Sequence, residues 1–114
     1  MEKYSDIAAI QSALQEPVSI LYISMPDCSV CVAVKPRLEK LAQDLAVPLY
    51  HLDAFEVPEV AGEFQVMTAP AVLVFSKGKE LQRQARFINF EKISSLVEDL
   101  QASDTSVDYE TLFK

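Results

Sequence analysis

The chain has 114 residues, of which 50% are hydrophobic and 24% charged, and its formal net charge is −7. This composition predicts one domain with a modest core and excludes a disordered chain. The negative charge argues against binding to nucleic acid or to an anionic membrane surface. No apolar run approaches the ~18 residues of a membrane span and no signal peptide is recognisable, so we expect a cytoplasmic protein.

The first half of the chain alternates helical and strand patterns. Ser5 or Asp6 is placed to cap a helix that ends at Pro17, and the apolar run "VSILYI" (18–23) is typical of a buried strand. A second strand is predicted at "PLYHLD" (48–53). Between the two strands, apolar residues at helical spacing predict a helix: Val30, Val34, Leu38, Leu41 and Leu45.

The second half adds a short helix, a hairpin and a final helix. The short helix is predicted within 55–64, and the strands "AVLVF" (71–75) and "ELQRQARF" (80–87) form the hairpin. Asn89 is placed to cap the last helix, and an acidic tail follows at 103–114. We therefore predict an α/β domain over residues 1–102, with a small mixed four-stranded sheet flanked by helices on both faces.

Both cysteines of the chain, Cys28 and Cys31, lie where the strand at 18–23 gives way to a helix. The carboxyl ends of strands carry the chemistry in sheets of this kind. The unpaired N–H groups and the dipole of a helix start would favour a thiolate at Cys28, and Cys31 would then be near enough to resolve a mixed disulfide. Three alternatives remain open here: two small apolar core residues, a structural disulfide, or half of a metal site shared across a dimer.

Two prolines complete a pattern. Pro36 interrupts the helix that the cysteines open, and Pro70 in "VMTAPAVLVF" stands directly before a strand, at an expected cis-proline site. Over residues 5–101, this combination of a strand, C-x-x-C, a helical proline and a proline before the hairpin resembles the thioredoxin family.

The resemblance implies a thiol–disulfide oxidoreductase in which Cys28 attacks and Cys31 resolves. It implies that the loop of Thr68, Ala69 and Pro70 binds the backbone of a substrate, and Met67 and Phe87 are expected in an apolar collar around the dithiol, with Met25 and Val30. The expected partners are disulfide-containing proteins or small thiols and an external reductase, but neither nucleic acid nor a membrane. No metal or other cofactor is expected beyond the dithiol itself, and a monomer is expected.

The surroundings of the cysteines depart from the family pattern. Asp27 stands where the family has tryptophan, and Ser29 and Val30 replace Gly-Pro between the cysteines. With Pro36, these residues are the candidates for tuning the reactivity of the dithiol. A charge at Asp27 would oppose a thiolate at Cys28, unless its carboxylate caps the helix instead.

Further departures affect the rest of the expected site. The family's buried aspartate falls at Tyr22, its lysine partner at Leu49, and a glycine of the later substrate loop near Arg86. The family's first strand is expected to be missing, because the first helical pattern begins almost at Met1. These losses motivate an alternative function, a binding or adaptor module whose dithiol is vestigial.

Other polar residues are interpreted as structural rather than functional. His51 is capable of titrating near neutral pH, but it lies far from the cysteines in sequence and is interpreted as a structural residue of a half-buried strand. Lys35 and Arg37 beside Pro36 are interpreted as a solvated helix face.

Overall fold

A computed structural model describes the backbone of residues 1–112 and the side chains of residues 1–102. Strands and helices alternate along the chain. In order they are β1 (Glu2–Tyr4), α1 (Ile7–Ala13), β2 (Ser19–Ser24), α2 (Ser29–Leu45), β3 (Leu49–Asp53), α3 (Val60–Glu63), β4 (Ala71–Ser76), β5 (Lys79–Ala85) and α4 (Phe90–Leu112).

Within residues 1–112 the strands form one sheet of five, in the order β1-β3-β2-β4-β5. The pairs β1–β3 and β2–β3 are parallel, whereas β2–β4 and β4–β5 are antiparallel. The mixed α/β architecture is therefore confirmed. The expected strand count of four is corrected to five, because the first strand is present.

Strand β1 is short and polar, which is why its sequence carries no strand pattern. Its residues pair in register with β3, with Glu2 opposite Tyr50. Lys3 Nζ lies 2.9 Å from a carboxylate oxygen of Glu56, and the ring of Tyr4 meets that of Tyr50 edge-on at 5.4 Å. These contacts come from distant parts of the chain, so tertiary pairing rather than local preference forms the strand.

The sheet separates two apolar layers. One layer joins α1 and α3 to the strand residues that face them, and Ile10, Leu21, Val60 and Leu73 are among its members. The other lies under α2 and α4 and contains Ile20, Tyr22, Cys31, Leu38, Val72, Val74, Ile93 and Val97. Successive side chains of β2 and β4 point alternately into one layer and the other. Both faces of these strands are therefore covered.

Helix ends follow the capping expectations. The Asp6 carboxylate accepts from the N–H of Ala9 at 3.1 Å, and the Asn89 side chain accepts from the N–H of Lys92 at 3.1 Å. The backbone of α4 continues to Leu112, through most of the segment expected as a tail. Side chains from residue 103 onward lie outside the described residues, and the boundary at 102 stays a prediction. In the part of the chain that the structure describes, no helix has the length and apolarity to cross a membrane.

Candidate functional site

The candidate site begins at the carboxyl end of β2, where the chain turns into α2. Asp27 adopts the left-handed backbone region with φ 59°, which reverses the chain after Pro26. Cys28 is extended and forms the N-cap of α2, with its Sγ accepting from the N–H of Cys31 at 3.1 Å. The N-cap is thus the cysteine sulfur and not the Asp27 carboxylate, which corrects the capping alternative considered from the sequence.

Cys28 and Cys31 are joined as a disulfide, with their Cα atoms 5.2 Å apart. This separation falls inside the ordinary range for a disulfide, about 4.4–6.8 Å. Cys28 is partly buried, whereas Cys31 is only 3% exposed and belongs to the apolar layer beneath α2. The two cysteines are therefore unequal in access to solvent.

Tyr22 supports the dithiol from the sheet. Its side chain is 1% exposed, and its hydroxyl donates to the carbonyl oxygen of Cys31 at 2.7 Å. Burial raises the pKa of Tyr22 to about 12. The phenol therefore stays protonated at neutral pH and fastens the first turn of α2 to β2.

We expect the Tyr22→Phe variant to lower the free energy of unfolding by about 1 kcal/mol, because a buried hydrogen bond is lost. Urea unfolding of the oxidised protein measures the difference. Tyr50→Phe is the matched control, since the Tyr50 hydroxyl makes no hydrogen bond with the described residues. Equal stabilities of the two variants would contradict a stabilising role for the Tyr22 hydroxyl.

A cleft beside the disulfide brings together residues that lie far apart in the sequence. It has a volume of about 600 Å³ and is open to solvent. The lining side chains include both cysteines and Asp27 and Ser29 from the start of α2, with Tyr22, Ser24, Lys35 and His51. His51 was not grouped with the cysteines, although the parallel register sets it opposite Tyr22. Aligning the predicted parallel strands by their carboxyl ends is the signal that would have found it.

His51 is held by two neighbours on β2. Its Nε2 lies 2.6 Å from the hydroxyl of Ser24, and its ring centroid lies 5.0 Å from that of Tyr22. Burial and then the positive charge of Lys35 lower the pKa of His51 from its ordinary 6.5. The imidazole is therefore mainly neutral at pH 7.

The proline loop shares an apolar layer with the first cysteine. The peptide bond between Ala69 and Pro70 is cis. Ala69 and Cys28 pack against the same apolar layer, and the Pro70 carbonyl accepts from the N–H of Arg86 at 2.8 Å. The loop before β4 and the turn after β5 are thus tied together beside the dithiol, with Thr68 exposed.

Large apolar side chains are exposed in these same segments. Met67 is 81% exposed before the proline loop, and Phe87 is 88% exposed after β5. At the start of α2, Met25 is 45% and Val30 49% exposed. These four side chains are therefore not part of the buried core.

The other tuning candidates lie along α2. Ser29 lines the cleft, whereas Val30 and Pro36 are exposed elsewhere on the helix, which continues past the proline to Leu45. Pro36 has no N–H to donate to Val32, the residue one turn earlier. Across the described side chains, no three His, Cys, Asp or Glu residues are grouped as a metal site requires.

Comparison with known proteins assigns the family. A thioredoxin family model matches residues 6–101. The thioredoxin-like protein YdfQ of Bacillus subtilis is 46% identical over 80 residues, which covers 69% of this chain and 71% of that protein. A thioredoxin of Staphylococcus saprophyticus is 29% identical over 87 residues, covering 75% of this chain and 84% of the relative.

Solved structures show the same fold at low sequence identity. Plasmodium falciparum thioredoxin has a TM-score of 0.76 at 18% identity, covering 87% of this chain and 98% of its own. A variant thioredoxin from Halobacterium salinarum has a TM-score of 0.79 at 16% identity, covering 87% of this chain and 88% of its own. The chain belongs to the thioredoxin family, and its Cys28–Cys31 pair makes it a thiol–disulfide oxidoreductase.

Proposed function

We propose that this protein reduces or exchanges disulfides with Cys28 as the nucleophile and Cys31 as the resolving thiol. The observation that carries the assignment is the unequal burial of the two cysteines. Cys28 is partly exposed at the start of α2, whereas Cys31 is 3% exposed one turn further along. A substrate disulfide therefore reaches Cys28 first.

The start of α2 supplies the electrostatics of the first step. In the disulfide form, the N–H of Cys31 already donates to the Cys28 sulfur at 3.1 Å. The same donor and the positive end of the helix dipole stabilise a thiolate at that position in the reduced form. The thiolate attacks a substrate sulfur, a mixed disulfide forms, and the other substrate sulfur leaves as a thiolate.

The second step regenerates the observed disulfide. The sulfur of Cys31 attacks that of Cys28, and the bond between Cys28 and the substrate breaks. Two electrons have then passed from the dithiol to the substrate disulfide, and both substrate sulfur atoms are reduced. An external reductase returns the Cys28–Cys31 pair to its dithiol state.

A substrate's extended segment would bind beside the proline loop. The backbone groups of Thr68 and Ala69 are the ones with which such an extended chain would pair. Pro70, whose carbonyl accepts from Arg86, holds the loop in place. The exposed side chains of Met67, before the loop, and Phe87, after β5, provide apolar area for such a segment. This arrangement suits unfolded or flexible protein segments that carry a disulfide, and small disulfides would need only Cys28.

We further propose that the protein works as a cytoplasmic monomer whose only redox group is the dithiol. The net charge of −7 disfavours nucleic acid and anionic membranes as partners. The reductase and the protein substrates are its expected partners.

We expect the Cys31→Ser variant to accumulate mixed disulfides, because the resolving sulfur is absent while the nucleophile remains. The variant is incubated with a protein mixture under mildly oxidising conditions, and thiol-sensitive adducts are resolved by non-reducing electrophoresis. The Cys28→Ser variant, which keeps the buried Cys31, is the matched control and should trap nothing.

Adducts of equal amount in both variants would contradict the assignment of Cys28. An adaptor with an idle dithiol would give no adducts with Cys31→Ser.

A further inference from the structure

We propose that His51 accepts the proton of the Cys31 thiol in the resolving step, acting through Ser24 and water in the cleft. The proposal rests on the assignment of Cys28 and Cys31 given above. It adds a role for a side chain on β3 that approaches the dithiol from the sheet.

The burial of Cys31 is what makes a proton acceptor necessary. Its side chain is 3% exposed and packs in the apolar layer beneath α2. Such surroundings disfavour a thiolate, and only the thiolate attacks a disulfide. Deprotonation of the buried Cys31 is therefore the demanding part of the step.

The cleft offers few groups that can take this proton. Of its titratable side chains, Lys35 is a cation and Tyr22 is a phenol with a pKa of about 12, so neither accepts a proton near neutral pH. Asp27 is the one carboxylate among the described lining residues, and it lies exposed on the turn that precedes Cys28. His51 remains, and it is the single histidine of the chain.

Ser24 gives the imidazole a partner in both of its protonation states. Its hydroxyl lies 2.6 Å from Nε2 and is 7% exposed. A hydroxyl donates to the neutral ring and accepts from the protonated ring. Ser24 and His51 line the same cleft as Cys31, so water there can connect the thiol to this pair. No hydrogen bond joins His51 to either sulfur within the described residues, so the contact is indirect.

Burial and the charged neighbours of His51 act together on its pKa. Lys35 from α2 and Lys3 from β1 oppose its protonation, and burial opposes it more strongly than either. Asp53 on the same strand and Glu56 after it favour protonation. Burial prevails, so the pKa is lowered and the ring is available as a neutral acceptor at pH 7.

The resolving step moves one proton and exchanges one disulfide bond for another. The Cys31 sulfur loses its proton through water and Ser24 to Nε2 of His51, and the resulting thiolate attacks the sulfur of Cys28. A bond forms between Cys31 and Cys28 while the bond from Cys28 to the substrate sulfur breaks. The electron pair of the broken bond leaves with the substrate thiolate, which takes a proton from solvent, and His51 returns its own to solvent.

A stopped-flow experiment with the reduced protein separates this step from the first one. The probe is a symmetric aromatic disulfide whose thiolate product is coloured. Attack by Cys28 releases one coloured thiolate, and attack by Cys31 on the mixed disulfide releases the second. The probe is used in enough excess that the first attack is not rate-limiting, and the two releases then appear as separate phases. Release of only one thiolate per protein would overturn the proposed function rather than the role of His51.

We expect the His51→Gln variant to keep the rate of the first phase within twofold and to slow the second by about a hundredfold at pH 7. Glutamine can still bond to Ser24 but cannot accept a proton. In the wild-type protein the rate of the second phase should rise with pH around a midpoint below 6.5, and this midpoint should disappear in the variant. Added imidazole should restore part of the rate.

Lys35→Gln provides a second test that leaves His51 in place. Removing this positive charge should move the midpoint of the second phase to higher pH, and Lys40→Gln, an exposed change on the same helix, should not move it. The proposal is overturned if His51→Gln retains the wild-type rate and pH profile of the second phase. It is equally overturned if the midpoint is the same in the Lys35 and Lys40 variants.

Discussion

Replacing Cys28 with serine should lower the rate of disulfide reduction by about three orders of magnitude or more, to the uncatalysed background. Serine is chosen because its hydroxyl can take over the N-cap that the sulfur forms with the N–H of Cys31. The fold at the start of α2 is thereby kept while the nucleophile is lost. Reduction of a disulfide-containing protein substrate, followed with a chemical reductant as the electron source, measures the loss.

A cysteine placed elsewhere tests whether position matters. In the Cys28→Ser background, Ser95→Cys restores a thiol on the exposed face of α4, away from the helix start that stabilises a thiolate. Activity should stay at background in this double variant. Recovery of activity there, or substantial activity in Cys28→Ser alone, would contradict the assignment of Cys28.

Leu38→Ala should lower the free energy of unfolding by about 2–5 kcal/mol, the range for truncating a fully buried leucine. Leu38 is 0% exposed and anchors the middle of α2 to the sheet, in the same apolar layer as Cys31. Such a loss is a large share of the about 5–15 kcal/mol that stabilises a typical domain. Urea unfolding with the disulfide intact gives the value.

Val32→Ala is the control on the same helix. Its side chain is 73% exposed, so the change in unfolding free energy should stay within about 0.5 kcal/mol. A loss below about 1 kcal/mol for Leu38→Ala would contradict the close packing of α2 on the sheet.

Much of the fold was accessible from the sequence because its core elements repeat a simple pattern. The spacing of Val34 and Leu38 predicted α2, and both are buried in the structure. The run at 18–23 predicted a strand covered on both faces, and β2 is buried throughout. These features depend on burial of apolar side chains, and the spacing of apolar residues in the sequence indicates which of them are buried.

The rest depends on contacts between distant segments. Strand β1 exists through its pairing with β3, and its own residues are polar. His51 reaches the cleft because the parallel register of β2 and β3 sets it opposite Tyr22. The two residues are far apart along the chain, so the sequence does not indicate that they are neighbours. The sequence left open whether the Asp27 carboxylate caps α2, because aspartate is a common N-cap. The left-handed turn at Asp27 gives that position to the sulfur of Cys28 instead.

The 5.2 Å between the Cα atoms of the two cysteines has a kinetic consequence. Both residues sit on one helical turn that the fold has already ordered, so resolution of a mixed disulfide is an intramolecular reaction. Well-oriented groups of this kind react as if present at an effective concentration on the order of 10⁵ M. No thiol free in solution approaches that concentration, and a substrate joined to Cys28 is therefore released by Cys31 before an outside thiol can intercept it.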